Sequence, residues 1–159
     1  MLMVSVSSFA ADENACGKLD KLEIVGKSIM EHAKRFRGVH YCESRRAVEA
    51  DVDGDGTNDL VVSYSIEGPC YNEKKLRPGT CGNYHEEFLA VFLKKSEKYI
   101  KPAVLKVGGR GERMVSDFTV EKNKINLKTL EYHEDPMCCP SKEGTATVKF
   151  DDRGLTEVK

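Results

Sequence analysis

"DVDGDGTNDLVVSYSIE", residues 51–67, decides how this chain folds. Its second half alternates. Leu60, Val62, Tyr64 and Ile66 stand on one side of an extended chain, and Val61, Ser63, Ser65 and Glu67 on the other, because successive strand side chains point to opposite faces. Its first half is turn material: Asp51, Asp53, Asp55 and Asp59 with Gly54 and Gly56 between them, residue types that favour local side-chain-to-backbone bonds and left-handed backbone. The stretch reads as a tight acidic loop that enters a buried strand.

Downstream the period stays at two. "FLAVFL" (88–93) is apolar on both faces, as a central strand is. "YIKPAVLKV", "RMVSDFTVE", "KINLKTLEY" and "TATVKF" follow, separated by "KKSEK", "GGRGE", "EKNK" and "DDRG", all turn signals. Upstream the period is helical: Leu19, Leu22, Val25, Ile29, Ala33 and Phe36 recur at steps of three and four, while Lys18, Lys21, Lys27, Glu31, Lys34 and Arg35 fill the other face. That pattern suits a helix packed on a sheet better than a free helix awaiting a partner. Gly38 is expected to end it in the left-handed conformation. The expected fold is α+β, an N-terminal helix packed on an antiparallel meander sheet of about six or seven strands.

The chain has 159 residues, 40% apolar and 32% charged, enough for one globular domain with a core. A net charge of −1 with no basic block argues against nucleic acid as a partner. No stretch approaches the roughly 20 apolar residues of a membrane helix. "MLMVSVSSFAADENA" (1–15) resembles the back half of a secretion signal, with Ser8 and Ala10 as a −3/−1 cleavage pair and no basic start. Residues 16–159 then form a single domain, secreted or periplasmic.

Six cysteines agree with an oxidising compartment: Cys16, Cys42, Cys70, Cys81, Cys138 and Cys139. Cys70 and Cys81 bracket the charged segment "YNEKKLRPGT", and a disulfide across its base is natural. Cys16 and Cys42 flank the helix; one helix over 19–37 is about 28 Å long at 1.5 Å per residue, far beyond disulfide reach unless the flanks fold back or Gly26 breaks it. In "DPMCCPS" (135–141) adjacent Cα atoms are about 3.8 Å apart, shorter than the usual disulfide range. Two separate partners, for instance Cys42 with one of them, is therefore the expectation; a vicinal bond would be the labile, redox-active alternative. A zinc site at His133, Cys138 and Cys139 lacks a CxxC pair and a spaced histidine pair.

Numbered from Asp51, the loop has carboxylates at positions 1, 3, 5 and 9, a glycine (Gly56) at position 6 and Thr57 at position 7, which offers its carbonyl. Calcium takes six to eight hard oxygens at about 2.3–2.6 Å, and this spacing gathers them around one point. Unscreened, the carboxylates would repel one another. Position 12 is Val62 rather than a glutamate, and a strand follows, so this is not a helix–loop–helix sensor. Magnesium, which keeps several waters, suits so many carboxylates less well.

"DVDGDGTNDLVV" resembles the calcium loop of FG-GAP and VCBS-type β-repeats, pattern DxDxDGxxDLxV, over about 12 residues and at every position. The resemblance implies a structural calcium ion held by the side chains of Asp51, Asp53, Asp55 and Asp59 and the carbonyl of Thr57. Those proteins carry several such loops in a propeller, and this chain carries one. Residues 45–159, with "VGGRGERMV" and "INLKTLEYHEDPMCCPSKEGTATVKF", also resemble a group of small secreted or periplasmic bacterial proteins that share an Asp-rich loop, a Gly-Gly-x-Gly turn and a Cys-Cys-Pro ending. That resemblance implies localisation and fold, and no activity.

"GGRG" (Gly108, Gly109, Arg110, Gly111) is a possible anion nest, but glycine is also what a tight hairpin demands. No Gly-Lys-Ser/Thr follows, so it is not a P-loop. His32, His40, His85 and His133 are scattered, and Glu86 and Glu87 beside His85 read as a charged strand edge. No catalytic set emerges. The expected role is a calcium-binding, disulfide-stabilised binding or structural module whose partner is a protein or an envelope polymer. The alternatives are a redox-active or metal-dependent envelope enzyme using Cys138 and Cys139 or the aspartate loop, and an inhibitor of a hydrolase.

Overall fold

The computed structural model describes residues 22–70, 81 and 84–158. The proposed leader, Cys16, Leu19 and the segment 71–80 lie outside the described residues. Helix α1 (Glu23–Arg35) buries Val25, Gly26, Ile29 and Ala33 along one stripe. It ends one residue earlier than expected of its glycine: Arg37, not Gly38, takes the left-handed conformation (φ 52°). The Arg37 N–H donates to Lys34 O and the Gly38 N–H to Ala33 O, the paired closure of a Schellman turn. Gly38 is needed for space instead, since a Cβ there would lie 2.5 Å from Ile66 Cγ2 and 2.6 Å from Glu67 O.

The strands are β1 (Val39–Ala50), β2 (Asp59–Glu67), β3 (His85–Phe92), β4 (Lys94–Lys95), β5 (Lys98–Tyr99), β6 (Ala103–Gly109), β7 (Arg113–Glu121), β8 (Lys124–Glu131), β9 (Lys142–Asp151) and β10 (Gly154–Val158). Eight form one antiparallel meander in the order β1-β2-β3-β6-β7-β8-β9-β10, and β4 and β5 make a separate hairpin. The helix-on-antiparallel-sheet fold is the expected one, with eight strands in place of six or seven. The additions are β10 and β1. In β1 the charged run "CESRR" hides the alternation, because the strand carries an irregularity between Tyr41 and Arg46.

The sheet folds back on itself. Between β6 and β7 the only registered pair is Gly109 with Arg113, so β1-β2-β3-β6 and β7-β8-β9-β10 pack face to face, as in a sandwich. Their shared interior holds Val61, Leu89, Val91 and Val107 from one half and Phe118, Val120, Ile125, Leu127 and Val148 from the other. The outer face of the first half, with Leu60, Val62, Tyr64, Ile66, Phe88 and Phe92, packs on Val25, Ile29 and Ala33 of α1. The two faces of β2 therefore serve two cores, split as the alternation of residues 59–67 requires. "FLAVFL" is apolar on both faces because β3 is also covered on both. The flanks are tied by Arg113 of β7, which grips Glu157 of β10 with both terminal nitrogens at 2.9 and 2.6 Å.

Candidate functional site

Ala50 and Asp59 are paired across β1 and β2, so the aspartate loop is the connection between two neighbouring antiparallel strands. Its backbone wraps around Asp51. Oδ1 of Asp51 accepts from the N–H groups of Gly54 (2.8 Å) and Asp55 (3.1 Å), and Oδ2 from Gly56 (2.9 Å). Asp53 accepts from Asp55 N–H, and Asp55 from Thr57 N–H. Gly54 and Gly56 sit at φ 77° and 84°, a region that side chains with a Cβ disfavour. Val52 pins the loop to the interior between the sheet halves.

Asp59 is fully buried. Its Oδ2 accepts from Val52 N–H (3.0 Å) and its Oδ1 from Lys94 N–H (2.9 Å), so it joins the loop to the β4–β5 hairpin. Burial, then the nearby charges of Asp53 and Asp55, raises its carboxyl above the usual range, against the two N–H bonds. Lys95 of the same hairpin reaches over the loop, its ammonium bridging Asp53 (2.5 Å) and Asp55. The Lys95 hydrogen bond is the main reason the Asp55 carboxyl lies below its ordinary value.

Carboxylate oxygens of Asp51, Asp53 and Asp59 come within 4.8 Å of one another. Of the four expected carboxylate ligands, these three converge, while Asp55 turns one oxygen to Lys95 and the other to Thr57 N–H. The donor set fits a hard divalent cation: all oxygen, strongly anionic, on a preformed turn. That Lys95 lays a positive charge across two of the carboxylates is the same preference met by a side chain.

The opposite end of the sandwich holds a second site. A cleft of about 470 Å³ is lined by Tyr41, Glu67, His85, Glu87, Met114 and Met137, among others. The expectation of a charged strand edge at Glu86 and Glu87 is corrected here for Glu87, while Glu86 pairs with Lys106 at 3.2 Å. β3 lies between β2 and β6, and Glu87 points inward, 8% exposed. Its Oε2 accepts from Val115 N–H at 2.6 Å. Burial raises the Glu87 carboxyl above its ordinary value, outweighing that bond and the charges of Arg46 and Arg113. Glu67, 2% exposed, accepts from Cys81 N–H at 2.7 Å. The signal for this cleft is present in the sequence. On the inner face, Val61, Leu89 and Val91 give way to Ser65, Glu67, His85 and Glu87 as the strands run toward it.

The Gly-Gly-Arg-Gly segment is the β6–β7 hairpin turn. Arg110 N–H donates to His85 O and Glu112 N–H to Gly109 O, so the Arg110 amide of the proposed nest serves the fold. Gly108 also has a packing role: a Cβ would lie 2.6 Å from Arg113 O and 2.9 Å from Glu87 Oε2.

Cys70 and Cys81 are bonded, as expected. Cys138 and Cys139 are bonded to each other, which corrects the expectation of separate partners. It also removes the thiolates that a zinc site with His133 needs. The physical reason is the loop around them. Asp135 accepts from the N–H groups of His133 and Ser141 and from Ser141 Oγ, and Tyr132 Oη donates to Met137 O. These bonds close a tight turn around the two bonded cysteines. Cys42 is also disulfide-bonded.

No family model, curated protein or solved structure matches this chain. No helix among the described residues is long and apolar enough to cross a membrane.

Proposed function

We propose that this chain is a calcium-binding, disulfide-stabilised module of the secreted or periplasmic space that works by binding rather than by catalysis. Asp51, Asp53 and Asp59 hold the ion, Asp55 and the Thr57 carbonyl complete its shell, and the ion clamps the β1–β2 loop to the β4–β5 hairpin. The observation that carries this reading is the convergence of three carboxylates within 4.8 Å on a backbone already turned around Asp51. The loop's likeness to FG-GAP and VCBS-type loops supports calcium over magnesium, and the disulfides suit an oxidising compartment. The partner is a protein or an envelope polymer.

The test is calorimetric titration of chelator-stripped protein with calcium and with magnesium, alongside thermal melts. Calcium-selective binding near one equivalent with a raised Tm is expected, because an ion that binds only the folded state stabilises it by about 2.7 kcal/mol at one hundred times Kd. An unchanged Tm, or a preference for magnesium, overturns the proposal.

A further inference from the structure

The cleft lies at the far end of β2 from the aspartate loop. Asp59 and Glu67 mark the two ends of that strand, about 27 Å apart at 3.4 Å per residue. It is therefore a site separate from the metal centre.

Three breaks in the strand ladders surround it. β1 gains extra residues between Tyr41 and Arg46, β6 slips opposite Glu87 and Phe88, and β7 slips between Val115 and Asp117. Bulges re-aim side chains and free backbone groups, and they gather beside functional sites. Here two of them contribute polar contacts. Ser44 Oγ in the β1 irregularity donates to Tyr41 O and accepts from Ser65 N–H. The β7 bulge turns Val115 N–H onto Glu87.

Two polar groups in this cleft lack complete partners. Nε2 of His85 is buried with no hydrogen-bond partner, a rare state for a buried ring nitrogen. Among the described residues, Glu87 has only the bond from Val115 to Oε2, which leaves Oε1 for a ligand. His85 and Glu87 are two apart on β3 and share a face. Among the described residues no cation makes a salt bridge to Glu87, and a buried carboxylate without a contacting partner is costly. Arg46 and Arg113 lie near enough for their charges to act on Glu87, but they pair with Asp117 and Glu157, and Arg110, which also lines the cleft, lies over the Tyr84 ring.

We propose that this cleft binds a small organic ammonium ion on an apolar body, with Glu87 taking the charge and Tyr41, Met114 and Met137 enclosing the body. A volume of about 470 Å³ lies within the range of small-molecule sites. An ammonium brings three donors, one of which serves Glu87 Oε1. Two buried carboxylates, Glu67 and Glu87, line the cleft against one guanidinium, Arg110, which favours a cation over an anion. A metal would lack a third donor, since among the described residues only Asp51, Asp53 and Asp59 bring three acidic, histidine or cysteine ligands together. The outer wall is Met137, 55% exposed on the loop braced by Asp135 and Tyr132.

The experiment is titration of the calcium-loaded, 15N-labelled chain at neutral pH with phenethylamine, 2-phenylethanol and 3-phenylpropionate. Spectra are followed at the Val115 and Gly108 amides and the Met114 and Met137 methyls. Phenethylamine is expected to shift all four, and the alcohol and the acid to bind at least about tenfold more weakly. Glu87→Gln keeps an acceptor for Val115 N–H but removes the charge, and it should abolish the preference for the amine. Should that variant fail to fold, Met137→Ala should weaken binding without loss of stability. Asp53→Ala with Asp55→Ala should leave amine binding intact, which separates this site from the calcium reading. No shift at Val115 up to about 10 mM amine, where a millimolar ligand saturates, overturns the proposal. So does binding of the alcohol or acid as tight as that of the amine.

Discussion

The ammonium of Lys95 lies 2.5 Å from Oδ2 of Asp53 and bridges to Asp55, so a cation from the β4–β5 hairpin already sits against the proposed calcium ligands. Each bridge raises the Lys95 ammonium above its ordinary value. An incoming calcium ion competes with it for the same oxygens. Lys95→Met should therefore tighten calcium binding severalfold, most clearly at low salt, where exposed charges are least screened. The check is calorimetric titration of both proteins at two ionic strengths; equal or weaker binding by the variant means that Lys95 does not compete.

Asp59 differs from the other loop carboxylates because it is fully buried and ties the loop backbone to the β4–β5 hairpin. Asp59→Ala strands the N–H groups of Val52 and Lys94, each at about 1–3 kcal/mol when left unpaired. A loss of about 2–6 kcal/mol is expected even in chelator, or roughly 4–24 °C at about 2–4 °C per kcal/mol for a chain of this size. Asp53→Ala with Asp55→Ala should instead cost stability only in calcium buffer. Melts of both variants with and without calcium separate the two roles, and a calcium-dependent effect of Asp59→Ala alone would place its main contribution in ion binding.

These two carboxylate roles show how far residue spacing carries. The loop is legible because turn and ligand chemistry act locally, over neighbours such as Asp51 and Gly56. The split of Leu60, Val62, Tyr64 and Ile66 from Val61, Ser63, Ser65 and Glu67 is legible because strand geometry enforces it. What covers each face is not local. α1 covers one, and the folded-back β7–β10 half covers the other through a single paired position at Gly109 and Arg113. The ladder slips at Tyr41, Glu87 and Val115 leave no compositional mark either. Glu87 therefore reads as an edge charge, although its neighbours make it an interior one.

His32 gives the fold a dependence on pH. Its Nδ1 lies 2.7 Å from Tyr64 Oη, and its ring stands edge-on to Phe88 at 4.5 Å between centroids. Burial first, and then the charge of Arg35, lowers its pKa, with Glu86 opposing. The unfolded chain thus takes the proton more readily than the folded one. This group's contribution is complete above the unfolded value near 6.5 and is lost as pH falls below it through the lowered folded value. In chelator, to keep calcium out of the comparison, Tm should fall between about pH 7 and pH 5, and His32→Gln should flatten that slope. A slope unchanged by the substitution would assign the acid sensitivity to other groups.

The two assigned disulfides should behave in opposite ways. Cys70 and Cys81 are 3% and 8% exposed and close a loop with a sequence separation of 11, for which the chain-entropy account gives about 3 kcal/mol. Cys138 and Cys139 are exposed and adjacent, so their bond removes little freedom from the unfolded chain, and Asp135 and Tyr132 brace the turn without it. Mild reduction followed by alkylation and peptide mapping should label Cys138 and Cys139 well before Cys70 and Cys81. Cys138→Ser with Cys139→Ser should lower Tm little, whereas Cys70→Ser with Cys81→Ser should cost about 2–3 kcal/mol. Equal labelling of the two pairs would contradict the difference in burial. A large loss of stability in the Cys138→Ser, Cys139→Ser variant would mean that the vicinal bond, and not Asp135, holds the turn that walls the cleft.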